Sequence, residues 1–362
     1  MHGILAVPEG QKAIVVDETG NLAISHNVPI PQIEPDMLLI RTEAVALNPV
    51  DVKFSGSMAS PGTVAGCDFA GTVIAIGTGV TKFSIGDRAA AVVPGSNPTA
   101  PQVGAFSEFS VAYEDFAWKL RDDMAFEKAA TLGTSVTVAG YALFYSLEIP
   151  GHPEKPVETS PMPYVLVYGG STASGTMAIQ LVRKSGMIPI TTCSPRNFAL
   201  VQEYGAEKVF DYHDPTSPGE IRSYTKNALY YALDCFCDAA SMAFCYAAIG
   251  RAGGKYTTLE PFHPEIGDTR RAITPQWVIN SAILGKAVGW KEPYGVQPDP
   301  HIHDFGKEWS RCVQRMLDAR EIATHPIRVH EQAGLEGILE GVDLVKGHAI
   351  SGEKLVYKTA KA

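Results

Sequence analysis

The spacing of hydrophobic positions changes twice along the chain. From residue 12 to residue 120, short apolar runs alternate with glycine and proline, as at residues 37–46, 70–77 and 88–93. Short apolar runs bounded by turn-forming residues are typical of a β-rich domain. Residues 126–147 then take on the spacing of a helix. Residues 12–147 are therefore predicted to be mostly β-structure followed by a helical segment.

Beyond a proline-bearing segment at residues 150–163, strand-like and helical patterns alternate. Residues 177–182 have the 3.6-residue period of a helix packed on a sheet. Strand-like apolar runs lie at residues 164–168, 188–193, 208–210, 231–234 and 253–259. Strands that alternate with helices indicate βαβ units and a parallel sheet.

The last part of the chain has a helical pattern at residues 305–319 and a strand-like run at 354–357. These elements are too few to fold alone, so we expect them to return to the β-rich domain. The predicted division is residues 1–155 for the first part of the β-rich domain, 156–295 for the domain of alternating strands and helices, and 296–362 for the return.

Composition narrows the range of functions. The chain has 362 residues, a formal charge of −9 and 45% hydrophobic residues. A nucleic-acid partner is not expected, because it would require a basic patch. An apolar run of about 18 residues is missing, so no membrane span is expected. The six cysteines lie scattered in apolar segments, which predicts free thiols in a cytoplasmic protein. Neither the cysteines nor the ten histidines have the spacing of metal ligands, and no metal is expected.

The strand at 164–168 runs into Gly169-Gly170-Ser171-Thr172-Ala173-Ser174-Gly175, and a helix follows. A helix N-terminus after a glycine-rich turn binds a pyrophosphate through backbone N–H groups and the helix dipole. The usual G-x-G-x-x-G pattern is incomplete, since Thr172 replaces the central glycine, and an ordinary glycine turn is the alternative. The loop predicts cofactor contacts from Ser171, Thr172, Ala173 and Ser174.

The next strand ends in Ser194-Pro195-Arg196-Asn197, where NAD-selective folds place an acidic residue for the ribose 2′-hydroxyl. A serine hydroxyl and a guanidinium instead suit a 2′-phosphate, because the hydrogen bonds are charge-assisted. These four residues therefore favour NADPH over NADH. The alternative for Arg196 is an exposed cation at a helix start, where the helix dipole makes a positive charge slightly unfavourable.

Several segments together resemble the medium-chain dehydrogenase/reductase superfamily. Zinc enzymes of that superfamily carry Gly-His-Glu where this chain has Gly66-Cys67-Asp68, and they carry a four-cysteine lobe that is missing here. The chain is therefore most similar to the zinc-free branch, and within it to the trans-acting enoyl reductases of fungal polyketide synthases. The segments that carry the resemblance are residues 45–53, 66–71, 80–88, 104–109, 168–175, 192–195, 204–212 and 248–254.

The resemblance implies an α/β fold with a GroES-like β-rich catalytic domain and a Rossmann doubly wound parallel sheet that binds NADPH. It implies reduction of an α,β-unsaturated thioester held on the acyl carrier domain of a partner polyketide synthase, in secondary metabolism. The family branch includes monomers. Two alternatives stay open: a stand-alone quinone or enone reductase that acts on free small molecules, and a non-catalytic NADPH-binding scaffold.

The resemblance also implies roles for individual residues. Lys53 and Thr137 are the catalytic candidates. The non-functional alternative is a solvated surface lysine for Lys53 and a hydroxyl inside a helix for Thr137. Asp51 has a turn-stabilising alternative, and Tyr212 a packing alternative. Further cofactor contacts are implied for Val50, Asp51, Val52, Lys53, Tyr212, Leu259, Glu260, Ile350 and Ser351. Two apolar segments are implied to wall the acyl pocket, although plain core is the alternative for both: Val138, Ala139, Gly140, Tyr141, Ala142, Leu143, Phe144 and Tyr145, and Ile283, Leu284, Gly285, Lys286 and Ala287.

Overall fold

The computed structural model describes residues 9–347 and 349–359. The chain divides into two compact units, one formed by the chain up to Thr134 together with the chain from Ser281 onward, the other by Ser135–Asn280. The sequence placed these divisions at 155/156 and 295/296. The difference arises because much of the helical segment and the proline-bearing segment belong to the second unit, while residues 281–295 belong to the first.

The strands are β1 (Gly10–Val16), β2 (Leu22–Pro29), β3 (Met37–Ala46), β4 (Asp68–Ile76), β5 (Arg88–Val92), β6 (Phe109–Tyr113), β7 (Ala117–Lys119), β8 (Tyr164–Tyr168), β9 (Ile188–Cys193), β10 (Lys208–Asp211), β11 (Tyr231–Asp234), β12 (Gly254–Thr258), β13 (Ile273–Trp277), β14 (Ile327–Val329) and β15 (Lys354–Lys358). The α-helices are α1 (Pro49–Lys53), α2 (Phe126–Ala129), α3 (Leu132–Gly140), α4 (Ala173–Lys184), α5 (Phe198–Glu203), α6 (Ser217–Tyr224), α7 (Ala239–Ala248), α8 (Pro264–Gly267), α9 (Pro300–Asp318) and α10 (Glu336–Lys346). Short 3₁₀ helices span Gly56–Met58, Glu114–Phe116, Pro195–Asn197 and Asn280–Leu284.

The first unit is built on a sheet in the order β14-β15-β3-β4-β5-β7, with β6 paired to β3. Strand β15 runs antiparallel to β3, and Val356 lies opposite Ala46. The C-terminal strand thus lies in the sheet of the N-terminal β-rich region. Strands β3 and β4 are mostly buried, which fits the apolar residues that make up both ends of β3 and most of β4.

The second unit contains a six-stranded parallel sheet in the order β10-β9-β8-β11-β12-β13. Its two halves run outward from the central pair β8 and β11, so the strand order reverses between these two strands. That order is the one of dinucleotide-binding Rossmann folds, which bind their ligand at the carboxyl ends of the strands. The predicted doubly wound parallel sheet is confirmed.

Helix α4 follows the first strand of this sheet. Its first turn is capped by Thr172, whose Oγ1 accepts a hydrogen bond from the Gly175 N–H at 3.0 Å. A threonine in this position satisfies one of the N–H groups that a helix start leaves unpaired. Met177, Ile179 and Leu181 are buried, and the basic residues of the last turn suit the negative end of the helix dipole.

Helix α3 continues into a π-helix at Tyr141–Ser146. The Leu147 N–H donates to the Ala142 carbonyl at 2.8 Å, five residues back. The end of this wider turn is held by Ser146, whose hydroxyl bonds Thr257 on β12 at 2.8 Å and Gln276 on β13 at 2.7 Å. Short π-helical turns within helices are often found at functional sites.

All six cysteines are free thiols, and only Cys235 among them is partly exposed. Among the described residues, no helix combines the length and the apolar stretch that a membrane crossing would need.

Candidate functional site

The loop after β8 is shaped by glycines that no larger residue would fit. Gly169 adopts φ +80°, a conformation that favours glycine. A methyl group on Gly170 would lie 2.0 Å from the Thr191 hydroxyl on β9, and one on Gly175 would lie 2.3 Å from the Gly169 carbonyl oxygen. Because these glycines have no side chain, the loop can lie close to the sheet, and the N-terminus of α4 lies over the strand end.

Thr172 is part of this loop's own structure. Its hydroxyl donates to the Gly169 carbonyl at 2.9 Å while it accepts from the Gly175 N–H. The residue that replaces the central glycine of the usual pattern is therefore the N-cap of α4. Ser171, Ala173 and Ser174 beside it are half-buried. The loop and the start of the 12-residue helix α4 make a suitable place for an anion.

The end of β9 brings together two of the residues predicted from sequence. The Ser194 hydroxyl lies 3.2 Å from the Tyr212 hydroxyl, which follows β10. Arg196 is exposed, and it makes no hydrogen bond or ion pair within the part of the chain that the structure describes. Pro195 is exposed and Asn197 is buried. Two hydroxyls and a guanidinium thus lie at neighbouring strand ends.

The predicted cofactor residues of the second unit share one edge of the parallel sheet. Each group directly follows the carboxyl end of a strand, which is where doubly wound sheets bind ligands. Ser171–Ser174 follow β8, Ser194–Asn197 follow β9, Tyr212 follows β10, and Leu259 and Glu260 follow β12. The Leu259 N–H donates to the Cys237 sulfur at 3.1 Å, which joins the ends of β11 and β12.

Phe236, after β11, is a candidate that the sequence analysis missed. Its side chain is 53% exposed, although it is large and apolar. The ring lies over the loop that follows β8, since a methyl group on Gly169 would be 2.7 Å from the ring. The ring centroid is 6.4 Å from that of Tyr212. An exposed aromatic ring at a strand end, beside a second ring, suits stacking with a planar base. The sequence signal that could have identified Phe236 is the change from a strand-like to a turn-like pattern after Asp234.

Asp234 holds the turn that carries Phe236. One carboxylate oxygen accepts the N–H groups of Phe236 at 2.9 Å and Cys237 at 3.0 Å. The other accepts the hydroxyls of Ser241 at 2.6 Å and Tyr256 at 2.7 Å. The side chain is fully buried, and burial raises the pKa of Asp234 above its ordinary value. Four hydrogen bonds to one carboxyl group therefore fix the turn against β12 and α7.

In the first unit, Lys53 is the last residue of α1 and is half-buried. Its Nζ donates to the Tyr294 hydroxyl at 3.1 Å and lies 4.8 Å from the centroid of the Tyr294 ring. Val50 and Val52 on the same short helix are half-buried. Tyr294 had no signal in the sequence, because it is separated from Lys53 by 241 positions.

Asp51 is buried and forms part of the cap of α1. One oxygen accepts the Asn48 N–H at 2.7 Å. The other is buried and has no hydrogen-bond partner by ordinary geometry among the described residues, with only the weakly donating thiol of Cys67 beside it. Burial raises the pKa of Asp51 to about 7, and the negative charge of Asp68 adds to this effect.

Asp68, in contrast, is fully paired. It accepts the Lys354 ammonium at 2.6 Å and the Asn48 side-chain amide at 3.0 Å on one oxygen, and the Thr134 N–H and hydroxyl at 2.7 Å each on the other. Lys354 is 5% exposed, so the ion pair is buried. Where zinc enzymes of the superfamily carry Gly-His-Glu, this chain places Cys67 and a carboxylate paired with lysine.

The remaining predicted residues differ in exposure. Thr137 is fully buried on α3, and residues 138–145 are buried apart from the half-buried Phe144 and the exposed Tyr145. In the first unit, Ile283 and Leu284 are buried, Gly285 is half-buried and Ala287 is exposed. The Lys286 ammonium pairs with Glu34 at 3.4 Å and Asp36 at 3.5 Å. Ile350 is half-buried and Ser351 exposed. Their roles as pocket walls and cofactor contacts stay predictions.

Comparison with known proteins agrees with this architecture. The model of the alcohol dehydrogenase GroES-like domain matches residues 34–122. Trans-enoyl reductase FSL5 of Gibberella zeae is 49% identical over 354 residues, which cover 97% of this chain and 98% of that protein. Trans-enoyl reductase fsa3 of a Fusarium species is 46% identical over 353 residues, covering 97% and 99%.

The chain belongs to the trans-enoyl reductase family. The resemblance inferred from its sequence is thereby confirmed, and the chain is an oxidoreductase of the medium-chain dehydrogenase/reductase superfamily, whose fold implies a nicotinamide cofactor.

Solved structures show the same fold at low identity. The structure of CurK enoyl reductase superposes with a TM-score of 0.72 at 16% identity, covering 97% of this chain and 100% of that one. An alcohol dehydrogenase superfamily protein from Novosphingobium aromaticivorans gives a TM-score of 0.74 at 18% identity, with coverage of 97% and 100%. The predicted pairing of a GroES-like domain with a Rossmann domain is therefore confirmed.

Proposed function

We propose that this trans-enoyl reductase uses NADPH to reduce the α,β-double bond of an enoyl thioester carried on the acyl carrier domain of a partner polyketide synthase. The observation that carries the proposal is the arrangement at the sheet edge: a phosphate loop, a serine–tyrosine pair, an exposed arginine and an exposed phenylalanine at successive strand ends. The names of the full-length relatives supply the reaction class.

The choice of NADPH rests on the end of β9. Ser194, Arg196 and Tyr212 offer hydroxyls and a positive charge, and residues 194–197 include no carboxylate that would repel a phosphate dianion. A guanidinium forms charge-assisted, bidentate hydrogen bonds with phosphate oxygens. At the start of α4 the Gly175 N–H is capped by Thr172, and the preceding N–H groups of the helix start suit the pyrophosphate.

When bound, NADPH supplies a hydride to the β-carbon of the substrate. The chain's own residues then have two tasks: to orient the thioester, and to stabilise negative charge on its oxygen as the double bond accepts the hydride. We assign the second task to the Lys53 ammonium and propose Thr137 as a contact to nicotinamide or substrate. The cysteine thiols, which are free, fit the reducing conditions of the cytosol, where we place the reaction.

Cofactor preference gives a direct test. We expect at least a tenfold preference for NADPH over NADH in kcat/KM, and Arg196→Ala or Ser194→Ala should weaken it, because one charge-assisted hydrogen bond contributes roughly 1.5–3 kcal/mol. Arg251→Ala is the matched control, since Arg251 is also exposed but precedes β12 at the opposite edge of the sheet. Selectivity that stays unchanged in both variants would refute the assignment.

The substrate is tested by comparing a carrier-bound enoyl thioester with a free enone of the same chain length. A carrier-dependent reductase should oxidise NADPH faster with the carrier-bound substrate. Equal turnover of both would favour a stand-alone enone reductase.

A further inference from the structure

The loop at residues 288–296, in the first unit, is held rigidly. Two backbone hydrogen bonds of 2.9 Å between Val288 and Val296 close its ends. Trp290 inside the loop is buried and stacks on Phe54 with the ring centroids 4.1 Å apart. Its indole N–H lies 3.1 Å from the carbonyl oxygens of Gly95 and of Ser96. A loop with such an anchor holds its other side chains in place.

Further contacts tie this loop to the segment that carries Lys53. The Lys291 ammonium donates to the Ser57 carbonyl at 2.8 Å, and the Gly289 N–H donates to the Asn97 side chain at 2.9 Å. The ring of Tyr294 meets that of Phe54 edge to face, with 5.8 Å between the centroids. Phe54 directly follows Lys53 in the chain. The loop therefore fixes the Tyr294 hydroxyl beside the Lys53 ammonium.

The chemistry of this pair is directional. An ammonium group has only donors, so in the 3.1 Å bond Lys53 Nζ donates and the Tyr294 oxygen accepts the hydrogen bond. Loss of the phenol proton would leave a phenolate next to a positive charge. A nearby cation stabilises the charged form of an acid and makes it a better proton donor. Lys53 thus prepares Tyr294 to give up a proton.

We propose that Tyr294 is the catalytic acid that protonates the α-carbon of the reduced substrate. This inference rests on the proposed function, in which Lys53 lies at the reacting end of the cofactor. Hydride from NADPH forms the C–H bond at the β-carbon, the C=C bond becomes an enolate, and NADPH is oxidised to NADP⁺. The O–H bond of Tyr294 then breaks as the α-carbon gains the proton, and the phenolate takes a proton from water before the next turnover.

The test uses the full-length protein, a carrier-bound enoyl thioester and NADPH in D₂O. Protonation from a fixed acid places deuterium on one face of the α-carbon, which NMR of the product reports. Tyr294→Phe keeps the ring packing on Phe54 but removes the acid, so kcat should fall roughly 100-fold or more while the NADPH dissociation constant stays the same. The residual product should carry deuterium on both faces, because water then supplies the deuteron.

Two further variants complete the test. Tyr230→Phe removes an exposed hydroxyl in the second unit and should retain wild-type rate and facial selectivity. 3-Fluorotyrosine at position 294 keeps the phenol and should retain the single face. If Tyr294→Phe keeps the wild-type facial selectivity, whatever its rate, Tyr294 is not the donor and the inference is wrong. A wild-type protein that reduces no enoyl thioester would instead overturn the proposed function, and this role with it.

Discussion

Replacing Asp51 by asparagine is expected to raise the free energy of unfolding at pH 8, whereas the same replacement at Asp68 should lower it. Both carboxyl groups are buried in one cluster of the first unit. They differ in their partners, since Asp68 faces the Lys354 ammonium and Asp51 has one oxygen without an ordinary hydrogen-bond partner among the described residues. The two variants therefore compare a buried carboxyl group that has a counter-charge with one that has none in direct contact within the described part of the chain.

The expected gain for Asp51→Asn follows from its raised pKa. Burial raises the pKa from 3.8 to about 7, and at ~1.4 kcal/mol per pKa unit this corresponds to roughly 4 kcal/mol. The folded protein binds the proton more tightly than the unfolded chain, so its stability falls as pH rises from about 4 to about 7 and is level above that. Asparagine keeps an acceptor for the Asn48 N–H and does not ionise. The gain should be largest at pH 8 and shrink below pH 7.

The expected loss for Asp68→Asn has a different cause. Removing the carboxylate leaves the Lys354 ammonium buried without its counter-charge. Breaking a buried ion pair from one side costs about 3–5 kcal/mol, because the remaining charge is desolvated and unpaired. The amide still accepts some of the hydrogen bonds from Asn48 and Thr134, so the loss should lie towards the lower end.

Urea unfolding of the wild type and both variants at pH 5 and pH 8 measures these differences. A change in midpoint at constant slope reports stability directly. The reasoning would be refuted if Asp51→Asn destabilised the protein at pH 8 as much as Asp68→Asn does, or if its effect were independent of pH.

Two further predictions concern the sheet edge. Gly170→Ala should abolish cofactor binding while the β-rich unit still folds, because the added methyl group would lie 2.0 Å from the Thr191 hydroxyl; cofactor titration by fluorescence checks this, and wild-type affinity would contradict it. Phe236→Ala should weaken binding of adenosine 2′,5′-bisphosphate about 5- to 150-fold, since stacking on a base contributes roughly 1–3 kcal/mol. Calorimetry with that fragment measures it, with the exposed Tyr224→Ala as a control; equal losses in both variants would show that Phe236 has no specific role.

Much of the second unit could be predicted because its strands carry nearly pure apolar runs. Tyr164–Tyr168, Ile188–Cys193 and Tyr231–Asp234 have the predicted bounds in the structure. Strand β13 was missed, since it lies at the edge of the sheet and its sequence, Ile273–Trp277, is only partly buried and contains a proline. Helix α10 was also missed, because its apolar positions are interrupted by glycines.

The site residues divide in the same way. The place of Ser194 and Arg196 at a strand end could be predicted from the order of strands, and their contact with a cofactor stays a prediction. The role of Thr172 as a helix cap needed the backbone of the loop, which shows its hydroxyl bonded to Gly169 and Gly175. Tyr294 could not be found from sequence, because only the folded loop brings its hydroxyl to Lys53.

We propose that hydride passes from NADPH to the β-carbon of a carrier-bound enoyl thioester. Single turnover with NADPH deuterated at nicotinamide C4 tests it most directly, with mass spectrometry and NMR of the acyl group released from the carrier. We expect one deuterium at the β-carbon and much slower labelling when deuterated NADH replaces NADPH. An acyl group that is not reduced, or that is labelled equally fast from NADH, would contradict it.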